Sequence, residues 1–396
     1  MNTLLQTSER LVANTAMGTK RYLFHEINWQ LPLIGIKGSR GTGKTTLLLQ
    51  RLKELALPPD QAVYLTLDDL AFTTHSILDF AVDFYQKGGK HLFLDEVHKY
   101  PEWARSIKNL HDSYPDLQIV FTGSSIIDIA REEGDLSRRA LMYQLWGLSF
   151  REYLDFAGVA QFESVSLSAI LSKDRPWRHL FPSSFKPLAH FKDYLKHGYY
   201  PFAFQDIEGY LSRLQQLIRV VVEYDMAALQ DFDIRNAKKM LQLLYILSEN
   251  VPFKPNLTAL AQKSRIHRNT VGNYLHFLEQ AKLIRQLRAP GISVSLLQKP
   301  EKLYLDNTNL SYALSLDEPD IGNIRETFFA SQVSQGHQLH YPKKGDFLVN
   351  GKYLFEVGGK GKTHQQIAHE DHAYLVVDDQ DFPVNRLPLW IFGFLY

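Results

Sequence analysis

Residues Gly38, Ser39, Arg40, Gly41, Thr42, Gly43, Lys44 and Thr45 fit the spacing G-x-x-x-x-G-K-[ST]. Three glycines let a backbone curl until its N–H groups converge on an anion, and a following helix adds the positive end of its dipole. That combination binds phosphate. The cradle would run from Gly38 to Thr46, Lys44 would reach the β- and γ-phosphates of a nucleoside triphosphate such as ATP, and the Thr45 hydroxyl would ligate Mg²⁺. A bare glycine turn is the alternative for the string alone. A second chemical stretch puts Asp95 51 residues after Lys44: His91-Leu-Phe-Leu-Asp95-Glu96 ends an apolar run in two acids. Phosphoryl transfer needs a carboxylate on the metal and another on the attacking water, both at a strand's carboxyl end. Asp95 would take the first role and Glu96 the second.

Two further groups lie downstream. Leu117-Gln-Ile-Val-Phe-Thr122-Gly-Ser124-Ser125 reads as a short strand with a polar tip. Thr122, Ser124 and Ser125 there would hydrogen-bond the γ-phosphate or the lytic water, or else turn the chain and cap a helix over 126–131. Arg138 and Arg139 precede another strand. A guanidinium at that place can stabilise charge on a transferred phosphoryl group, and a solvated surface pair is the alternative. Near the C-terminus, Asp346 and Glu356-x-x-x-Lys360 come from two neighbouring strand-like runs, with Glu326 in a helical stretch before them. Two acids and a lysine can surround a metal; two acids in adjacent strands also arise by chance.

These side chains need elements to hold them. An apolar run, Leu31 to Lys37, precedes the glycine-rich loop, and a helical pattern from Thr45 to Leu55 follows it, stopped by Pro58-Pro59. Strands are expected over 61–67, 91–96 and 117–125, with helices between them and an amphipathic helix over 1–18. Such alternation predicts an α/β fold with a parallel, doubly wound sheet ending near 147–153. Residues 154–235 are expected to be helical, the longest helix running from Leu211 to Leu229. Their density in Tyr and Phe reads as core or an interdomain seam.

Residues 236–290 read differently. Helices over 237–247, 257–261 and 265–280, then a strand over 282–287, spell a winged helix-turn-helix. Between Val251 and Pro290 stand seven Lys or Arg and one acid, Glu279. With Arg265, His267, Arg268 and Asn269 opening the third helix, this is the pattern of a phosphate-backbone binder such as a duplex DNA partner. A protein-contacting helix with a solvated basic face is the alternative. Strands are expected over 351–357, 373–377 and 389–396.

Length and composition bound the rest. With 396 residues, 45% hydrophobic and 22% charged, two to four globular domains are expected. The chain divides on this reading into 1–150, 151–235, 236–290 and 291–396. No apolar run reaches the roughly 20 residues of a membrane span. The absence of cysteine excludes disulfides and thiolate metal sites. No export signal is read at the N-terminus, so a cytoplasmic location is expected.

These motifs together resemble a family of prokaryotic AAA+-like ATPases in which the ATPase module precedes a C-terminal domain of undefined function. The resemblance rests on the glycine-rich loop, Leu92-Phe-Leu-Asp-Glu-Val-His-Lys-Tyr-Pro-Glu-Trp103, Phe121-Thr-Gly-Ser-Ser125, Ser137-Arg-Arg139 and Gly147-Leu-Ser-Phe-Arg-Glu-Tyr153. It continues through Gly198-Tyr-Tyr-Pro201, the winged helix and Phe355-Glu-Val-Gly-Gly-Lys360. It implies an ATPase with Lys44 and Thr45 in the loop, Asp95 on the metal and Glu96 as catalytic base. Ser124 or Ser125 would be the sensor, and Arg138 or Arg139 an arginine finger reaching a neighbouring subunit of a homo-oligomer. It also implies a restriction-endonuclease-type fold at the C-terminus, with Glu326, Asp346 and Glu356 as its acids. That pattern places a lysine two residues after the last acid, where this chain has Gly358; Lys360 is two further on, and the domain is expected to be inactive. Two other functions fit the same strings: an Mg²⁺-dependent DNA nuclease gated by ATP, and a scaffold that binds nucleotide without hydrolysing it.

Overall fold

The computed structural model describes residues 2–124, 136, 138–226, 236–249, 256–291, 300–363, 367, 370–383 and 385–396. Ser125, Ser137 and the helix expected over 126–131 lie outside them. The chain forms two compact units, 1–146 and 147–396.

The first unit is built on five parallel strands: β1 (Leu33–Gly38), β2 (Ala62–Thr66), β3 (His91–Asp95), β4 (Gln118–Ser124) and β5 (Leu141–Leu145). Their order is β2-β3-β4-β1-β5. The central strands are near-continuous apolar runs because both faces are buried. Ile34, Ile36, Tyr64, Phe93 and Val120 fill one face. Leu33, Val63, Leu92, Leu94, Ile119 and Phe121 fill the other. Helices α2 (Tyr22–Glu26) and α3 (Lys44–Leu55) cover the first face through Leu23, Phe24, Leu47, Leu48 and Leu52. Helices α4 (Ile77–Gln86) and α5 (Trp103–Ser113) cover the second through Ile77, Phe80, Phe84, Trp103 and Ile107. Helix α1 (Asn2–Asn14) runs beside β2, where the Tyr64 N–H donates to Ser8 Oγ at 2.9 Å. This is the expected doubly wound α/β fold.

From sequence, residues 151–396 divide into three segments; by their contacts, residues 147–396 group as one unit. The reason is that, among the described residues, residues 150–195 share one core with the C-terminal segment. Helices α6 (Phe150–Phe156), α7 (Leu167–Leu171) and α8 (Pro187–His197) place Phe150, Ile170, Phe191 and Tyr194 in one cluster with Phe328, Phe355 and Trp390. The dense aromatics are therefore core. The helix expected from Leu211 to Leu229 runs as α9 (Tyr210–Val220) and continues in π-helical geometry over Val221–Asp225; residues 227–229 lie outside the described residues. Next come α10 (Ala237–Ser248), α11 (Leu257–Ser264), α12 (Arg268–Gln280) and an antiparallel pair, β6 (Ile284–Leu287) with β7 (Lys302–Leu305).

After α13 (Thr308–Leu314) and α14 (Ile321–Val333), a second sheet closes the unit. It contains β8 (Leu339–His340), β9 (Phe347–Val349), β10 (Tyr353–Gly358), β11 (Ala373–Val377) and β12 (Leu387–Pro388), in the order β12-β11-β10-β9-β8. The strand expected over 389–396 is not one. Leu389–Phe394 forms a 3₁₀ turn, all six residues buried. An apolar run without alternation suits any buried element. Here Gly393 lies so close to Phe150 that a Cβ would stand 2.4 Å from that residue's Cβ.

No helix among the described residues is long and apolar enough to cross a membrane.

Candidate nucleotide site

The carboxyl ends of β1, β3 and β4 meet at one edge of the first sheet. Gly38 at the end of β1 pairs in register with Ser124 at the end of β4. Between β1 and α3 the chain makes the glycine-rich turn. Gly41 and Gly43 have φ of 83° and 94°, where a side chain would be strained. Gly43 is the residue before α3, and no side chain caps that helix. Its first N–H groups and its dipole therefore point into the turn, as anion binding requires.

Lys44 is buried, and its ammonium donates to the Gly38 and Ser39 carbonyls at 2.9 and 3.1 Å. The Thr45 hydroxyl donates to Asp95 Oδ2 at 2.6 Å. Asp95 is 1% exposed and is the centre of a network. Tyr64 donates to Oδ2 at 2.8 Å, Thr122 donates to Oδ1, and the Glu96 N–H reaches Oδ1 at 3.1 Å. Burial, then the charge of Asp95, pushes the Tyr64 phenol far above its ordinary value, so it stays a donor. Thr122 is fully buried and bonded to Asp95, so it braces the carboxylate instead of facing a ligand.

Glu96 stands in the left-handed region, φ 51° and ψ 42°, at a cost on the order of 1 kcal/mol. The Thr122 hydroxyl accepts from its N–H at 3.3 Å, which helps hold that backbone. The turn folds the next 3₁₀ segment, Val97–Lys99, back toward the loop. It brings His98 Nε2 to 3.3 Å from Glu96 Oε2. Burial, reinforced by Lys99, Lys44 and Arg40, drives the His98 pKa from 6.5 down to about 3.

Ser124 is buried at the tip of β4. Arg139 forks onto Asp112, the last turn of α5, at 2.7 and 3.0 Å, while Arg138 is exposed. Arg21, buried just before α2, donates to the Thr42 carbonyl inside the loop and to Trp146 O at 2.7 Å. No local pattern marks Arg21, Tyr64 or His98 as part of this site.

In the second unit, Glu326, Asp346 and Glu356 do come together, but through lysines. Lys302 Nζ lies 2.5 Å from Glu326 and 4.0 Å from Asp346. Lys362 Nζ lies 2.7 Å from Glu356 and 3.7 Å from Asp346. The lysine at the acids is Lys362, not Lys360. Burial and the charge of Asp346 raise the Glu326 pKa against the pull of Lys302. Among the described residues, no group of three or more His, Cys, Asp or Glu is arranged to hold a metal.

Residues 30–154 match the family model described as AAA domain, and 188–320 match a domain of unknown function, DUF8612. The first unit is thus similar to a nucleotide-binding, ATPase-type module of the AAA class. Among individual proteins, the chain is 27% identical over 368 residues to uncharacterized protein MJ1637 of Methanocaldococcus jannaschii, covering 85% of this chain and 77% of the relative. It is 23% identical over 413 residues to MJ1544 of the same organism, covering 91% and 88%. Solved structures overlap more distantly. A point variant of Thermotoga maritima RuvB covers 72% of this chain and 89% of its own at 17% identity and TM-score 0.27. AMPPCP-bound DnaA from Aquifex aeolicus covers 70% and 89% at 16% and 0.28, scores too low to speak to function.

Proposed function

We propose that the chain is an Mg²⁺-dependent ATPase acting as a molecular switch, with Lys44, Thr45, Asp95 and Glu96 as its working residues. The observation that carries this reading is the Thr45–Asp95 contact. A hydroxyl from the phosphate-binding turn and a buried carboxylate from β3, two strands away from β1 in the sheet, converge at 2.6 Å. Hard oxygen donors of this kind suit Mg²⁺, which would be held there through Thr45 and Asp95. The metal would neutralise charge on the β- and γ-phosphates.

The residues divide the remaining work. Lys44 would exchange its two loop carbonyls for phosphate oxygens, and the N–H groups of Gly41 to Thr46 around it would donate to the same phosphates. Ser124, level with Gly38 at the tip of β4, would serve as the sensor of the γ-phosphate. Tyr64 and Thr122 fix both oxygens of Asp95. Glu96 accepts a proton from the attacking water. Arg138 or Arg139 would supply the finger. Glu96→Gln should keep nucleotide affinity within about twofold and lower kcat by roughly 10²-fold or more. Lys44→Ala should lose binding. Equilibrium binding of a fluorescent ATP analogue beside steady-state phosphate release checks both; unchanged turnover in Glu96→Gln would remove the base assignment.

We read α10 to β7 as a winged helix that meets a nucleic-acid backbone. The support is the solvent-facing Lys263, Arg265, His267, Arg268 and Asn269 at the turn between α11 and α12. For the acids of the second unit, the alternating order Glu326, Lys302, Asp346, Lys362, Glu356 supports an ion-paired, non-catalytic reading over a nuclease. Mg²⁺- or Mn²⁺-dependent nicking of plasmid by the full chain would reverse it.

A further inference from the structure

His98 has no part in the reading above, yet its place is unusual. Its side chain is 2% exposed, and neither ring nitrogen makes a hydrogen bond of good geometry among the described residues. An imidazole with two such nitrogens costs stability, because each buried polar group left unmet has lost its water without a replacement partner. That cost persists where a side chain acts on a neighbour. The neighbour is Glu96, 3.3 Å away.

We propose that His98 is the positioning residue of Glu96: its Nε2–H steers the carboxylate toward the water that attacks the nucleotide. This rests on the ATPase reading of the site. The geometry favours it for three reasons. First, the donor is fixed. His98 sits on a three-residue 3₁₀ turn, Val97–Lys99, whose Lys99 N–H bonds Glu96 O at 2.9 Å. Base and donor are thereby locked to one short loop, and a small rotation of Glu96 completes the bond. Second, packing alone does not set the direction of the base. The Glu96 side chain is 24% exposed, and several staggered rotamers fit a glutamate at such a site, so its aim depends on the polar groups around it. Third, the donor is neutral. Burial first, and then the charges of Lys99, Lys44 and Arg40, disfavour protonation of His98. A cationic partner would form an ion pair and lower the basicity of Glu96, whereas a neutral imidazole directs the carboxylate and leaves its proton affinity largely intact.

The test compares His98→Leu and His98→Gln in the full chain, with ATP turnover and binding of a non-hydrolysable ATP analogue measured in parallel. His98→Leu should lower kcat by about 10- to 100-fold, the size of effect a misplaced catalytic group produces, with affinity and KM within about twofold of wild type. His98→Gln, which keeps an N–H of similar reach, should recover most of the rate. A double variant, His98→Leu with Glu96→Gln, should be no slower than Glu96→Gln alone, because His98 acts only through Glu96. Should the leucine variant not fold, His98→Asn, too short to reach Glu96, replaces it. Unchanged kcat in His98→Leu, equal loss in the leucine and glutamine variants, or parallel loss of affinity each overturns the proposal while leaving the ATPase reading standing. A wild type that binds ATP without hydrolysing it overturns both.

Discussion

Asp95 shows how a single carboxylate is set by its neighbours. Three side chains and one backbone N–H donate to its two oxygens, and each side chain comes from a different element: Thr45 from α3, Tyr64 from β2, Thr122 from β4. Close by, burial and then the charges of Lys99, Lys44 and Arg40 exclude a charge from His98, which gives the pH prediction of this site. The folded-state pKa of His98 lies near 3, below the ordinary 6.5. Its contribution to stability is therefore complete above about pH 6.5 and is lost as pH falls from there toward 3. His98→Gln should flatten urea stability between pH 6.5 and 4, by on the order of 1–3 kcal/mol at the acid end. A variant with the wild-type slope would show that other groups carry the acid transition. Lys44, Asp95 and Glu96 are legible in the sequence because motif and role are local. Tyr64 is not. It meets Asp95 because β2 and β3 pair in parallel, Tyr64 opposite Phe93, which puts residues 64 and 95 on one face as a diagonal pair. Arg21 is invisible for a similar reason: it reaches Trp146 across 125 residues.

At the scale of elements, the turn between α11 and α12 and the lysine-bridged acids each make a prediction. The sequence counts seven basic residues over 251–290, but the fold does not offer them equally. Arg285 is paired with Asp306 at 2.8 Å and Arg288 with Glu279 at 3.3 Å. Lys263, Arg265 and Arg268 stay exposed around the turn, where the His267 ring caps α12. Arg265→Ala with Arg268→Ala should weaken binding to duplex DNA of any sequence and reduce the slope of log K against log salt by about two. Arg285→Ala should leave that slope unchanged. A gel-shift titration at low salt with no complex, with or without ATP, removes the idea. In the second sheet, Glu356 is fully buried beside Lys362. Burial opposes the charge of Lys362, and its hydrogen bond to Glu356 with the charge of Asp346 outweighs that, so the ammonium's pKa is raised. Its stabilising effect is present at and below the ordinary lysine value of 10.5 and is lost only as pH rises through the higher folded value. Lys362→Met should cost about 2–3 kcal/mol, since it strands a buried carboxylate whose partner was partly exposed. Adding Glu356→Gln should return most of that loss, read as the urea midpoint. Strand runs and the helix pattern were legible here because they are periodic. The turn of Leu389–Phe394 and the position of Lys362 were not, because a uniformly apolar run has no period and a lysine four residues beyond the expected place has no local mark.

For the whole molecule, the open question of mechanism is whether one chain completes its own nucleotide site. β5 is an edge strand of the first sheet, next to β1 and its phosphate-binding turn. The two arginines that precede it are not equivalent. Arg139 is held by Asp112 of its own unit, a bidentate pair at an exposed site, and Arg138 faces solvent. An arginine at a sheet edge reaches a neighbouring copy more easily than it turns back to its own loop. We therefore expect Arg138 to act in trans and Arg139 to stay with Asp112. A finger of this kind supplies roughly 10³- to 10⁵-fold in rate, so a lone chain would be nearly inactive. Specific activity should rise with protein concentration until assembly saturates. Arg138→Ala should abolish the rise, whereas Arg139→Ala should change it only a few-fold. Mixing Lys44→Ala with Arg138→Ala should restore part of the activity that each lacks alone, because one brings the intact finger and the other the intact loop. Specific activity that stays constant across about a hundredfold dilution, from a protein that sediments as a monomer throughout, would place the whole reaction within one chain and leave Arg138 a surface residue.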